Sequence, residues 1–170
     1  RGSGNCHSSE SAEVSTRKSP ASVKELSTAE SNSEVVNMGI VVERFDHIVI
    51  NCRDVEATAR WYVEVLGMTL EKFGPAARTS LKFGNQKINL RPLGARELDP
   101  HWDTGAVEAA GSEDLCFVTS ATPDAVMDHL NSCGVVVIKG PVAKIGALGE
   151  MVSHYCRDLD GNLIEISVYA

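Results

Sequence analysis

Long apolar runs are missing from this chain, and no stretch approaches the about 20 residues that a membrane helix requires. Clusters of Lys and Arg are missing too. With a net charge of −7, that speaks against a nucleic-acid partner. There is no CxxC pair. The five cysteines, at 6, 52, 116, 133 and 156, make an odd count that does not suit a disulfide frame. Cys52, Cys116 and Cys156 lie in apolar, strand-like stretches, the pattern of reduced, buried thiols in a cytoplasmic protein. What remains is ordinary: 43% hydrophobic and 23% charged residues in a 170-residue chain, enough for one globular domain with its own core.

Two textures divide the chain. The first forty residues hold ten serines, five glutamates, four basic residues and no aromatic, which predicts a disordered Ser-rich tail over 1–42. The tail lacks the apolar core of a secretory signal, and its acids do not suit a transit peptide. It takes four of the sixteen basic residues and five of the twenty-three acids. The remainder therefore carries twelve against eighteen, and the acidity belongs to the folded part.

From residue 43 onward the pattern predicts elements twice over. Residues 44–51 read as a strand. Residues 54–66 read as a helix with Asp54 as N-cap and Gly67 past its end. Strands are expected at 68–73, 79–84 and 86–91, and then a polar connection to 111. A second strand is expected at 113–120. It leads to a helix that opens on Thr122-Pro123-Asp124 and stops at Gly134. Strands follow at 135–138, 151–156 and 162–168. The last two are joined by "DLDGN", a hairpin signal. The Gly-rich "GALGE" (146–150) reads as a loop over the site region. His47 precedes Gly67 by twenty residues, and Asp114 precedes Gly134 by twenty. The expectation is two tandem βαβββ modules, 43–92 and 112–170, joined by a linker at 93–111.

Strand parity nominates a site. Side chains alternate faces along a strand. If Ile48, Ile50, Ile88, Leu90, Leu115, Phe117, Ile164 and Ile166 pack on the helices, then His47, Asn89, Asp114 and Glu165 share the opposite face at matching positions. Buried charges are costly unless paired or metal-bound. Imidazole nitrogen and carboxylate oxygens suit one divalent ion: Zn, Ni, Mn, Fe or Mg. Lys87 and Arg91 share that parity and can meet an anionic substrate, or simply reach solvent at a sheet rim. Tyr155 can donate a hydrogen bond on the same side.

The segments "FDHIVINCRDVEATARWYVEVLGM", "GSEDLCFVTS" and "YCRDLDGNLIEIS" resemble the vicinal oxygen chelate superfamily, also called the glyoxalase/bleomycin-resistance/dioxygenase superfamily. With "LKFGNQKINL" and "GPVAKIGALGEMVSHY", the sequence is most similar to a branch of glyoxalase-domain proteins that includes bacterial virulence proteins. The resemblance implies an α+β fold of two βαβββ modules in a partly open mixed barrel. It places His47 and Glu165 at metal-ligand positions, Asp114 where His is usual, and Asn89 where glyoxalase I has Glu. The two-Glu site of glyoxalase I is therefore not reproduced. The activity implied is that of a metal-dependent lyase or isomerase, with Glu165 as general base, acting on a small substrate held through vicinal oxygens. The alternatives are a non-catalytic drug- or toxin-binding resistance protein and a dioxygenase-type member. A homodimer is implied, with modules exchanged between chains in several relatives.

Overall fold

The computed structural model describes residues 39–170. The Ser-rich stretch that was expected to be disordered falls almost wholly outside them. Module one consists of β1 (His47–Cys52), α1 (Val55–Leu66), β2 (Thr69–Phe73), β3 (Arg78–Phe83) and β4 (Gln86–Pro92). A four-residue helix, α2 (Ala95–Leu98), sits in the connection. Module two repeats the plan with β5 (Asp114–Val118), α3 (Pro123–Ser132), β6 (Lys139–Gly146), β7 (Gly149–Arg157) and β8 (Leu163–Tyr169). Each module forms one mixed sheet, ordered β1-β4-β3-β2 and β5-β8-β7-β6. Its first and last strands pair in parallel, Ile48 with Ile88 and Leu115 with Ile164. The fold is thus the paired βαβββ, α+β arrangement, with two open sheets in place of a closed barrel.

The helices form where their end signals stand. Asp54 Oδ1 accepts hydrogen bonds from the Glu56 and Ala57 amides at 3.0 and 2.9 Å, satisfying donors that have no partner in the first turn. Gly67 closes α1 at φ +64°, the left-handed conformation that costs glycine nothing. Thr122 Oγ1 accepts from the Ala125 amide, and Pro123 opens α3.

Two expectations are corrected in module two. The strand predicted at 135–138 lies later, at Lys139–Gly146. Val135 and Val137 are apolar because they pack on the core, not because they belong to a ladder. The β6/β7 register then shifts between Lys139 and Val142, where Gly140 passes close to β7. A Cβ on Gly140 would stand 2.7 Å from the Ser153 carbonyl oxygen, so only glycine fits. The second correction concerns "GALGE". Gly146 pairs with Gly149, which leaves Ala147 and Leu148 as a two-residue hairpin turn in place of a five-residue loop.

One apolar cluster serves both modules. Ile50, Tyr62, Val65, Leu81 and Ile88 join Val126, Leu130, Ile164 and Ile166. The hairpin "DLDGN" ties the modules further. The buried Asp158 carboxylate accepts from Tyr62 Oη and Asn162 Nδ2, at 2.9 and 2.8 Å. Asp160 accepts from Thr58 Oγ1 at 2.9 Å and from the Arg53 amide at 3.0 Å. Burial, reinforced by the Asp158 carboxylate, pushes the Tyr62 phenol far above its usual range, so the phenol remains a donor. With the helix faces spent on this shared core, the opposite faces of the sheets are left for ligands.

Candidate functional site

On module one, His47 opens β1 on the face away from the core. Its Nδ1 lies 2.8 Å from Asp46 Oδ1. That contact, the largest influence on Asp46, holds the carboxyl below its ordinary range. An imidazole that donates Nδ1–H to a carboxylate presents the lone pair of Nε2 outward, the usual state of a histidine ligand. Across the ladder, Val49 pairs with Asn89 and Asn89 with Ser80. The Asn89 Oδ1 and Ser80 Oγ atoms are both buried without a hydrogen-bond partner among the described residues. His47, Asn89, Lys87 and Arg91 line one cavity of about 320 Å³. The connection after β4 supplies its other wall, through His101, Trp102 and Asp103. Arg91 is buried. Its Nε donates to Asn51 Oδ1 at 2.9 Å, and a terminal nitrogen donates to the Asp103 carbonyl at 3.4 Å.

On module two, Glu165 is the acid of β8, with Cys116 beside it on β5 and Tyr155 on β7. Ser153 Oγ and Ser167 Oγ stand 2.9 Å apart, and Ser167 Oγ donates to Glu165 Oε1 at 3.3 Å. Burial works against ionisation of Glu165. Hydrogen bonds from Ser153, Tyr155, Ser167 and Cys116 more than offset it and hold the carboxyl below its ordinary range. Glu165 is therefore a carboxylate at neutral pH. Burial and this neighbouring acid push the Tyr155 phenol up to about 12. Asp114 is exposed at the start of β5, and among the described residues its side chain has no hydrogen-bond or ion-pair partner.

Within one chain these groups gather as two half-sites. His47 does approach Cys116, since both line a smaller space of about 140 Å³. Yet among the described residues no three His, Cys, Asp or Glu side chains form a group able to hold a metal ion. His47, Asp114 and Glu165 thus fit a divalent cation by donor chemistry, but a single copy does not assemble them around one.

The family follows from sequence and fold together. The Glyoxalase/Bleomycin resistance protein/Dioxygenase superfamily model matches residues 44–166. The chain belongs to this superfamily. Virulence protein STM3117 of Salmonella typhimurium is 42% identical over 130 residues, spanning 76% of this chain and 87% of that protein. The glyoxalase domain-containing protein RDO1 of Mycosarcoma maydis is 43% identical over 128 residues, spanning 75% and 69%. Among solved structures, an integron cassette protein from the mobile metagenome of V. cholerae superposes with a TM-score of 0.72 at 40% identity, covering 77% of this chain and 98% of that one. A lactoylglutathione lyase from Agrobacterium tumefaciens shares the fold, with a TM-score of 0.60 at 18% identity over 75% and 95% of the two chains.

Three residues escape parity reasoning, and two serines share the face of Glu165 and Tyr155 without an evident role. Asp46 lies just outside the ladder, where alternation does not apply, and its only signal is an acid directly before the His. Trp102 and Asp103 come from the connection after β4, which reads as polar linker. Ser153 and Ser167 look like ordinary strand serines until the β7/β8 register sets them opposite each other. Among the described residues no helix is long and apolar enough to cross a membrane.

Proposed function

We propose that this superfamily member is a metal-dependent lyase or isomerase of glyoxalase type, acting on a small molecule held through two adjacent oxygens. The observation that carries the reading is the matched preparation of two groups on corresponding sheet faces. His47 has Nδ1 engaged and Nε2 free, and Glu165 is held ionised by its hydrogen-bond shell. His47 and Glu165 would hold the ion, with Asp114 and Asn89 as further oxygen donors. A bound divalent cation supplies Lewis acidity toward a developing oxyanion. Glu165 serves as the proton acceptor, and Tyr155, whose phenol keeps its proton, orients an oxygen of the substrate. Since one chain presents two half-sites, a homodimer in which the halves come from different copies completes the set.

Metal content of chelator-stripped, reloaded protein tests this. His47→Ala and Glu165→Ala should each lose the ion, and unchanged stoichiometry in both ends the reading. Mixing the two inactive variants tests the shared site. Random re-pairing leaves about a quarter of the wild-type sites with both ligands, so activity should recover to about that level. A dimer whose sites are each built within one copy recovers none.

A resistance protein that sequesters a cationic drug is the competing reading. Rings suited to such a guest do line the module-one cavity. However, Lys87 Nζ already sits 4.0 Å from the centroid of Phe73, and the Arg78 guanidinium 3.9 Å from that of Trp102. The cavity favours the opposite charge.

A further inference from the structure

The module-one cavity concentrates positive charge in a domain that is otherwise acidic. Arg78, Lys87 and Arg91 all line it. None of the three makes an ion pair among the described residues, where the ion pairs are His47 with Asp46, Arg53 with Asp160 and Lys82 with Glu71. Arg91 is the strongest part of the case. It is only 6% exposed, and its partners are an amide oxygen and a backbone carbonyl, both neutral. A guanidinium removed from water without a counter-charge is costly, and proteins retain one where a ligand provides the charge. Among the described residues, Asp103 is the single carboxylate lining the cavity. Asp46, beyond the lining, feels the field of Lys87 but is bonded to His47.

The cations are also held in place. Lys87 lies over Phe73 and Arg78 over Trp102, so apolar rings fix their positions and shield their charges from bulk water. The unpartnered Asn89 Oδ1 lies on the same lining, able to accept a hydroxyl proton. The volume of about 320 Å³ is at the small end for ligand pockets, suited to a compact metabolite.

We propose that this cavity binds the anionic end of the substrate, a carboxylate or phosphate gripped by Arg91, Arg78 and Lys87, with the rest of the molecule directed toward His47. The proposal rests on the reading of this sheet face as the substrate side, and it adds the substrate's charge class. It predicts that neutral or cationic analogues are poor ligands however well they chelate.

The test is calorimetric titration of the full chain at low ionic strength, first metal-stripped and then metal-loaded. The probes are succinate, inorganic phosphate and uncharged succinamide. At least one anion should bind and succinamide should not. Binding of succinate but not phosphate assigns a carboxylate, the reverse a phosphate, and binding of both a general anion site. Arg78→Gln and Lys87→Gln, at half-buried side chains, should each weaken anion binding about tenfold or more. Arg91→Gln should weaken it further. If Arg91→Gln misfolds, the other two variants still decide. The proposal is overturned if neither anion binds, if succinamide binds as well as succinate, or if both Gln variants bind like the parent. His47→Ala separates the two readings. Lost metal with anion binding retained implicates the metal site alone, whereas anion binding absent throughout, with metal stoichiometry normal, overturns the anion site alone.

Discussion

Module one and module two carry the same frame and opposite chemistry on their free faces. Where β1 opens with His47, β5 opens with Asp114, and where β4 holds Asn89, β8 holds Glu165. Ser80 is the cross-strand neighbour of Asn89, and Tyr155 that of Glu165. The first module gathers cations and leaves an amide oxygen and a hydroxyl unpaired. The second surrounds one acid with hydroxyls and a thiol that keep it ionised. A duplicated scaffold thus sets out equivalent slots, and the functional asymmetry lies in how each slot is filled. On the proposed reading, only together would the faces supply a nitrogen ligand, an oxygen ligand and a charged grip.

The junction between modules gives the largest expected effect. Asp160 is 3% exposed at its side chain and receives bonds from Arg53 and Thr58 of module one. Asp160→Ala strands these donors and should cost about 2–4 kcal/mol. Urea unfolding measures it. A loss below about 0.5 kcal/mol would mean that the Asp160 bonds add little to the junction.

Next comes the support of the module-one imidazole, which has no counterpart on Asp114. Asp46→Ala removes the acceptor at Nδ1 and should weaken metal binding about tenfold, at the gentle end for a group behind a ligand because Asp46 is exposed. Titration with Zn²⁺ or Ni²⁺ reads this directly, and affinity equal to the parent would remove Asp46 from the site.

These contrasts also mark what sequence can reveal. The helices were legible because Asp54, Thr122, Gly67 and Gly134 are local signals, read by backbone atoms a few residues away. The strand faces of His47 and Glu165 were legible because a two-residue period sorts faces without knowledge of the partner. α2 was missed because four residues leave no periodic trace. β6 was misplaced because a Gly-Pro step reads as a strand breaker, and only the close approach of Ser153 explains the glycine. Asp158 and Asp160 read as turn residues because their partners on α1 lie about a hundred residues away. Arg91 matched in parity, but its missing counter-charge is visible only once every neighbour is in place.

A smaller effect sets the buried faces against each other. In module one Thr79, which precedes Ser80 as His154 precedes Tyr155, receives a hydrogen bond from Lys72 at 2.7 Å. In module two His154 is fully buried, and neither ring nitrogen has a hydrogen-bond partner among the described residues. Burial, only partly opposed by the Asp124 carboxylate, lowers its pKa. The unfolded chain therefore takes up a proton near pH 6.5 while the native state resists. Above that pH His154 adds no pH dependence. Below it stability should fall by up to about 1.4 kcal/mol per pH unit until the native value is reached. His154→Leu should abolish that share of the slope and raise stability at pH 7 by about 1 kcal/mol by removing unpaired polar atoms. Parallel unfolding curves for variant and parent from pH 7 to 5 would refute it.

The finest probe is Ser167, the donor to Glu165. A carboxylate with a lowered pKa stays charged as pH falls into the ordinary carboxylate range, so Glu165 itself does not cost metal binding in mild acid. Ser167→Ala removes the bond to Oε1 and breaks the link to Ser153. Tyr155 and Cys116 remain, so the pKa of Glu165 should rise only part of the way back toward its ordinary range. The acid limb of metal binding should move to higher pH by that amount, with affinity at pH 8 unchanged, since Glu165 is ionised there in both proteins. An acid limb that stays put, or moves to lower pH, would show that Ser167 does not hold the charge. It would leave Glu165 no better prepared than the amide in the same slot of module one.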